Sequence, residues 1–247
     1  MAEVQTLARG LRVIELLAEA DGGLTSTELA DLLEVDRGSM SRLMSTLMKY
    51  RFAERDEQTR RYFLGTHVSE LGKRAGQHAS LRELAEPYLQ SLGALTRENA
   101  HVAVYSPPHA LTIADVPSTE PLRVVSEVGR RVPLHCSAIG KCLLAFAEIP
   151  VPTDFTRYTD RTILDADVLK THLKHVRDVG YALDDEELTP GVRGLAAPIR
   201  NREGRTVAAM GLSGPGIRLT DEKIPELVQQ LTKTAMAVSA KLGFQAD

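Results

Sequence analysis

The residues best suited to chemistry in this 247-residue chain are an acidic run, a histidine–cysteine pair and an arginine-bearing segment. The run Asp184-Asp185-Glu186-Glu187 offers carboxylates for a metal ion or for general-base work. Adjacent residues on a strand point to opposite faces, so at most two of these carboxylates converge. We therefore interpret the run as a solvated turn that ends a strand, with Asp184 as the exception.

Sequence motifs for catalysis and cofactor binding are missing from the chain. His135 and Cys136 are sequence neighbours, which disfavours the mutual hydrogen bond of a nucleophile–base pair. Gly140-Lys141 lacks the upstream glycine and the following Ser or Thr of a phosphate-binding loop. A zinc site built from Cys136, His135 or His101 stays open as an alternative. We expect no enzyme activity, no cofactor and no bound metal.

Basic side chains are concentrated in one segment, although the whole chain has a net charge of −3. Residues 1–36 have a net charge of −6, whereas residues 37–61 have a net charge of +4. Contacts to DNA phosphates require such a local basic face, because salt screens charge within about 10 Å. The alternative is a solvated charged surface without a partner.

Three short helices are predicted to position this basic segment. The first follows Thr6 and carries Leu7, Leu11, Ile14 and Leu17 on one stripe. The second begins at a capping box over residues 25–28, and the third is capped by the residue at position 36. The apolar stripe of the third helix consists of Met40, Leu43, Met44 and Leu47.

The opposite face of the third helix carries small hydroxyl side chains beside arginines. Such a face suits the DNA major groove, because short residues permit close approach while arginine reads guanine or clamps a phosphate. The alternative is a plain helical hairpin with a polar outer face. Alternating residues at 50–55 and 60–64 predict an arginine-bearing β-hairpin, which completes a winged helix-turn-helix. The candidates for contacting double-stranded DNA are Arg37, Ser39, Ser41, Arg42 and Ser45 on the helix and Arg60 and Arg61 on the wing.

The stretch from Leu24 to Gly65 resembles the DNA-binding domain of the IclR (isocitrate lyase regulator) family of bacterial transcription factors. It reads LTSTELADLLEVDRGSMSRLMSTLMKYRFAERDEQTRRYFLG. One position departs from the family, which usually places Gly in the turn between the two helices where this chain has Glu34. A non-glycine residue in a left-handed conformation costs on the order of 1 kcal/mol, so we expect this turn to differ slightly.

The remainder of the chain alternates between strand and helix candidates. Consecutive short strands joined by turns favour an antiparallel sheet with helices against it, and hence an α+β fold. Strands are predicted at 101–106, 111–116, 122–128, 181–184, 195–199 and 207–212, and helices at 137–146, 167–179 and 221–242. The predicted domains are a winged helix-turn-helix at 1–66, a linker helix at 67–80 broken by Gly72 and Gly76, and an effector-binding domain at 81–247 that opens with an amphipathic helix.

Segments 128–146, 180–199 and 211–215 and the terminal helix are similar to the effector-binding domain of the same family, so the resemblance covers nearly the whole chain. It implies a GAF/PAS-like sensor fold in which a small organic acid binds beside the loop after the Leu-His-Cys segment. Backbone amides at a helix N-terminus readily accept a carboxylate. The effector-binding residues implied by the resemblance are Ser137, Ala138, Ile139, Asp184, Gly194, Gly211 and Ser213.

Two of these positions depart from the family. Gly194 replaces a typical Cys, and Gly211 replaces a Ser that acid-binding members often have. Loss of both side chains predicts a pocket whose far wall has receded, and hence an aromatic acid or related compound as effector. The alternative is that neighbouring bulk, such as Leu195 or Met210, refills the space.

The resemblance also carries expectations about assembly and location. One winged domain offers little contact for a specific site, so we expect a homodimer, or a dimer of dimers, that binds a pseudo-palindromic operator of a catabolic operon. We see neither a secretory signal nor a membrane-length apolar run, and we expect a cytoplasmic protein. The alternative is a small-molecule sensor, or a structural dimer, that does not bind DNA.

Overall fold

The computed structural model describes residues 4–74 and 77–245, and the chain divides into one unit at Met1–Ala79 and another at Ser80–Asp247. The first unit is a helical domain with a small hairpin. Its elements are α1 (Gln5–Glu19), α2 (Ser26–Leu32), α3 (Arg37–Lys49), β1 (Ala53–Arg55), β2 (Tyr62–Leu64) and α4 (Thr66–Arg74).

The N-terminal caps of α2 and α3 agree with the sequence prediction. The Thr25 hydroxyl accepts from the Glu28 amide at 3.2 Å, while the Thr25 amide donates to the Glu28 carboxylate at 2.7 Å. The Asp36 carboxylate accepts from the Ser39 amide at 2.9 Å. These bonds satisfy amides that a helix leaves without partners in its first turn. They fix where each helix begins, and with it the direction of α3.

The buried face of α1 differs from the predicted stripe. Leu7 and Leu11 are exposed, and the residues that face the core are Gly10, Val13 and Leu17. Gly10 lies against α3, where an added Cβ would sit 3.6 Å from the side chain of Leu43. The face that joins the core therefore runs through Gly10, Val13 and Leu17, and of the predicted stripe Ile14 and Leu17 lie against the core whereas Leu7 and Leu11 do not. The predicted stripe of α3 is confirmed at Met40, Met44 and Leu47.

The hairpin after α3 is shorter than the alternation predicts. Tyr50 caps the end of α3 instead of starting a strand, and Arg60 has a positive φ of 56° in the turn. Asp56 closes this turn, because its carboxylate accepts from the Gln58 and Thr59 amides at 2.9 and 2.6 Å. The wing is therefore a short antiparallel pair with a tight turn at its tip.

The connector contains two helices. The predicted break at Gly72 is wrong, because α4 runs continuously to Arg74, and Gly76 lies outside the described residues. Helix α5 (Gln77–Thr96) leads into the second unit. Within the described residues, no helix is long and apolar enough to cross a membrane.

The second unit contains a six-stranded antiparallel sheet in the order β5-β4-β3-β8-β7-β6. This arrangement confirms the predicted α+β fold. The strands are β3 (Asn99–Ser106), β4 (His109–Val116), β5 (Arg131–Val132), β6 (Ala182–Asp185), β7 (Val192–Arg200) and β8 (Thr206–Pro215), and the helices after α5 are α6 (Ala138–Phe146), α7 (Ala166–Val179) and α8 (Ile224–Lys241).

One predicted strand is wrong. Residues 122–128 form no strand, and the edge of β4 pairs instead with Arg131 and Val132. Leu122 and Val125 are exposed, so their alternation with polar neighbours reflects a loop over the surface. An apolar–polar alternation without a partner edge cannot form a strand, because its amides need a ladder.

The two faces of the sheet bury side chains of different size. Helices α5 and α8 cover the face that carries the larger residues, such as Ile199, Met210 and Leu212. Helices α6 and α7 cover the face with Ala103 and Ala209. Small residues allow α6 to approach the sheet closely, which places the N-terminus of α6 directly over strands β7 and β8.

The turn between α2 and α3 generates a prediction, because Glu34 has a left-handed φ of 51°. Glu34→Gly should relieve backbone strain of about 1 kcal/mol, offset in part by the greater freedom of glycine in the unfolded chain. Amides of α2 and α3 should then exchange with deuterium about two- to fivefold more slowly, the ratio that corresponds to a net gain of about 0.4–1 kcal/mol in the free energy of opening. Glu34→Ala, which keeps a Cβ, is the matched control. Unchanged exchange in Glu34→Gly would contradict the strain.

Candidate functional site

The outer face of α3 presents the residues predicted to contact DNA. Arg37, Ser41, Arg42 and Ser45 are exposed, and Ser39 is half-buried beside them. The Arg42 guanidinium donates to the Ser39 hydroxyl at 3.0 Å, which holds it over the first turns of the helix. This face therefore combines short hydroxyl side chains with two arginines, as a helix in the major groove requires.

The two wing arginines differ in their surroundings. Arg60 is exposed at the tip of the hairpin. Arg61 donates from Nε to the carbonyls of Gly22 and Gly23 at 3.0 and 3.2 Å, and from Nη2 to the Glu28 carboxylate at 3.3 Å. Arg61 thus braces the wing against the turn before α2, a role that no pattern in the sequence predicts.

A cavity of about 80 Å³ lies in the second unit between the sheet and the N-terminus of α6. It brings together six of the seven residues that the resemblance implied, and leaves out Gly211. Those six are Ser137, Ala138, Ile139, Asp184, Gly194 and Ser213. Residues 124–130 of the irregular loop contribute to the mouth through Val124, Ser126 and Arg130.

The N-terminus of α6 offers amide donors to this cavity. The Ser137 hydroxyl accepts from the Gly140 amide at 3.0 Å and donates to the Pro133 carbonyl at 2.6 Å. The amides of Ala138 and Ile139 have no acceptor among the described residues. Two free amides at the positive end of a helix have the chemistry that favours a carboxylate.

Asp184 is buried where the cavity wall meets the end of β6. Its carboxylate accepts from the amides of Glu187 and Leu188 at 2.8 and 3.4 Å. Burial raises the pKa of Asp184 to about 7, although these amides and nearby Lys141 act to lower it. Burial therefore favours the neutral form of Asp184, and a bound carboxylate would favour it further.

The acidic run is not the solvated turn that we predicted. Glu187 is buried and forms an ion pair with the fully buried Lys141 of α6. Burial raises the pKa of Glu187, and Lys141 opposes the rise. Only Asp185 and Glu186 reach solvent. Lys141 thus serves a structural ion pair, which leaves it no role as a phosphate ligand.

The space beside Gly211 is filled. A Cβ at this position would lie 2.8 Å from His101 Nε2 and 3.0 Å from the Ile139 side chain. The predicted alternatives for refilling, Leu195 and Met210, belong to the core on the opposite face of the sheet. The wall has therefore receded only at Gly194, where an added Cβ would make ordinary contacts of 3.4–3.7 Å.

Sequence reasoning missed several polar residues of the cavity, among them His101, Arg130 and Thr112. These three line it from β3, the mouth loop and β4, respectively. His101 and Thr112 alternate with apolar residues that face the core, which is the signal that could have found them. Arg130 belongs to a loop, and no periodicity marks it.

The histidine–cysteine pair named in the sequence analysis has structural surroundings that do not support catalysis. Burial raises the pKa of Cys136 to about 12, so its thiol stays protonated and unreactive. His135 Nε2 donates a hydrogen bond to the Thr156 carbonyl at 3.0 Å. Among the described residues, no cluster of three or more His, Cys, Asp or Glu side chains could hold a metal ion.

Comparisons with known proteins match both parts of the chain to domains of one family. The model described as the IclR helix-turn-helix domain matches residues 6–57, and that of the bacterial transcriptional regulator IclR C-terminal domain matches residues 73–240. The chain is 33% identical to the HTH-type transcriptional regulator BhcR of Paracoccus denitrificans, covering 99% of this chain and 89% of that protein. It is 31% identical to the transcriptional repressor IclR of Escherichia coli, covering 98% and 91%.

A solved structure is similar over the whole chain. An IclR homologue from Microbacterium hydrocarbonoxydans, complexed with 4-hydroxybenzoate, superposes with a TM-score of 0.85 over 96% of this chain and 98% of that one. The identity is 23%, so this likeness concerns the fold.

The raised pKa of Asp184 predicts a pH-dependent stability. A buried acid whose pKa is higher in the folded state destabilises the fold increasingly as pH rises from about 4 to about 7. Asp184→Asn keeps an oxygen for the two amides and removes the charge, so its melting temperature should exceed that of the wild type by roughly 5 °C at pH 8 and converge with it near pH 4. Asp160→Asn, at a fully exposed site, is the control. If the melting temperatures of Asp184→Asn and the wild type changed in parallel with pH, the raised pKa of Asp184 would be contradicted.

Proposed function

The chain belongs to the IclR family of bacterial transcriptional regulators, and on that premise we propose that it binds a pseudo-palindromic operator and that an aromatic acid in its cavity changes this binding. IclR-family proteins are regulators with a helix-turn-helix domain and an effector-binding domain, and they are not enzymes. The observation that carries the proposal is the presence, in one chain, of an exposed Arg/Ser face on α3 and a cavity with free amides.

The α3 face supports a division of labour on DNA. Arg42, with Ser41 and Ser45, reads base edges in the major groove, while Arg37 and Arg60 hold phosphates. Arg61 is also proposed to touch phosphate, but this contact competes with the bonds that brace the wing. Arg60 is therefore the sharper probe of the backbone contact.

The number of subunits follows from how little DNA one α3 helix can contact. One α3 helix covers only a half-site, and a symmetric pair of α3 helices reads two half-sites about one helical turn apart. We propose a homodimer, or a dimer of dimers, in the cytoplasm, where the operator of a catabolic operon lies. A footprint with two symmetric protected half-sites is its signature.

The cavity supports an acid with a flat apolar body. The Ala138 and Ile139 amides take the carboxylate, and Val132, Leu188 and Val192 line the walls around the body. A homologue of the same fold has 4-hydroxybenzoate bound. The volume of about 80 Å³ is roughly half that of a cavity known to hold benzene, so the mouth loop at 124–130 must move outward when a ring enters. That movement gives the effector a means to shift the conformational equilibrium, by about 1–3 kcal/mol in typical regulators.

The DNA-binding proposal predicts two different losses. Arg42→Ala should weaken operator binding by roughly 1–3 kcal/mol and relax the preference for the operator, because a base contact is lost. Arg60→Ala should weaken operator and unrelated DNA about equally, because phosphates are the same in both. Fluorescence anisotropy at two salt concentrations measures both effects, and Lys174→Ala, on α7, is the control. Unchanged operator affinity in Arg42→Ala would overturn the orientation of α3.

The effector proposal predicts a graded effect at Gly194. Gly194→Ala should bind benzoate or hydroxybenzoates nearly as the wild type does, because its Cβ meets only ordinary contacts. Gly194→Cys should weaken them by roughly tenfold, since its sulfur occupies cavity space. Isothermal titration with benzoate, 4-hydroxybenzoate and glyoxylate checks this. Tight glyoxylate binding without any aromatic response would refute the aromatic effector.

A further inference from the structure

A chain of hydrogen bonds beside the cavity orients the Asn99 side chain. Asn99 Nδ2 donates to the Asp115 carboxylate at 2.9 Å and to the Val116 carbonyl at 3.2 Å. Both partners only accept hydrogen bonds, so the amide nitrogen must face them. Asn99 Oδ1 therefore points the other way, toward His101 and Ser213.

The orientation of Asn99 determines the tautomer of His101. His101 Nδ1 lies 3.2 Å from Asn99 Oδ1, and the Ser213 hydroxyl donates to the same oxygen at 3.1 Å. Because Oδ1 can only accept, Nδ1 must carry the hydrogen. In a neutral imidazole the other nitrogen, Nε2, then has a lone pair and no hydrogen.

The His101 ring is neutral at physiological pH. Burial lowers its pKa to about 4, nearby Arg130 lowers it further, and Asp115 opposes the decrease. No polar group among the described residues bonds Nε2, and the His101 side chain lines the cavity. The cavity wall thus contains an acceptor of fixed orientation, His101 Nε2, to which no described residue donates a hydrogen bond.

Gly211 makes room for this acceptor. Gly211 pairs with His101 across the strands β8 and β3. A Cβ at residue 211 would lie 2.8 Å from Nε2, closer than carbon and nitrogen atoms approach without a bond. The glycine and the histidine are therefore a matched pair, in which the glycine lets the ring lie flat against the sheet.

We infer that His101 is a specificity-determining residue, which selects acids that carry a hydroxyl group by accepting its hydrogen at Nε2. The carboxylate binds at the Ala138 and Ile139 amides, and the hydroxyl reaches His101 on the sheet. An acid without the hydroxyl leaves Nε2 desolvated and unpaired. The inference rests on the effector-binding function proposed above, and it names a chemical group that this function leaves open.

The test compares acids that differ only in this group. Isothermal titration measures the dissociation constants of the three hydroxybenzoates, benzoate and the three methoxybenzoates, and of lactate and propionate as an aliphatic pair. In the wild type, one hydroxy acid should bind at least about tenfold more tightly than its deoxy and methoxy analogues, because those analogues leave the acceptor at His101 Nε2 unpaired.

Two variants locate the preference. His101→Leu removes the acceptor, and Gly211→Ala displaces the ring from its place while keeping the histidine. In each variant, the dissociation constants of the hydroxy acid and its deoxy analogue should lie within about threefold of each other. The methoxy analogue should no longer bind more weakly for want of a hydrogen-bond donor, because the variant has no acceptor in place to receive one. His175→Leu, at an exposed site on α7, should keep the wild-type preference. If one of the two variants fails to fold by circular dichroism, the other decides.

The outcomes separate this inference from the proposed function. Equal binding of hydroxy and deoxy acids by the wild type, or a preference that survives in the folded variants, overturns the role of His101 and leaves an aromatic effector standing. A preference confined to lactate over propionate supports the role of His101 and overturns the aromatic effector. If none of these acids binds, both are overturned.

Discussion

The close approach of α6 to the sheet is the constraint on which the cavity depends. At Gly140, a Cβ would lie 2.4 Å from the Cα of Leu134, so only glycine lets α6 pack against the segment that leads into it from β5. One residue later, Lys141 crosses to Glu187 beyond β6 and ties the helix to the sheet. Removing one partner of such a buried pair leaves an uncompensated charge and costs about 3–5 kcal/mol. The free amides of the helix are thereby held over the strands.

This constraint also distributes charge within the cavity. Because Lys141 is bound to Glu187, its ammonium does not neutralise an incoming acid, and the donors that the cavity offers to a carboxylate include backbone amides, the Arg130 side chain and hydroxyl groups such as that of Ser126. Asp184 adds a carboxyl group whose burial favours the neutral form. The polar groups of the cavity therefore differ in kind, with donors at α6 and an acceptor on β3. A ligand that satisfies both is oriented, whereas an apolar ligand of the same size is not.

The basic segment of the first unit has a similar division between structure and binding. The Arg61 guanidinium donates its hydrogen bonds to the carbonyls before α2 and to Glu28, the same carboxylate that caps α2. The wing, the turn and α2 are thus joined through one side chain. By contrast, Arg37, Arg42 and Arg60 are exposed to solvent on α3 and the wing. A count of arginines in the sequence does not make this distinction, since it depends on which carbonyls lie nearby.

Much of the architecture was readable from the chain. The caps of α2 and α3, the wing, the antiparallel sheet and six of the seven cavity residues follow from local signals or from the resemblance. The errors share one cause: they concern what a segment packs against. The leucine stripe of α1 is regular, yet Leu7 and Leu11 remain exposed while Gly10 and Val13 meet the core. The run at 122–128 alternates, yet β4 pairs with residues 131–132 instead.

The sequence by itself determined the elements, because caps, turns and periodicity act within a few residues. The left-handed turn at Glu34 was expected from the resemblance, because the family usually places Gly at this position, and Glu34 has a φ of 51°. Only the tertiary structure decided the chemistry of the cavity. The ion pair of Lys141 with Glu187 joins residues 46 positions apart, and the hydrogen bond of Asn99 with Ser213 joins residues 114 positions apart. Such contacts are set by strand order and by how closely helix and sheet pack, which no local pattern encodes.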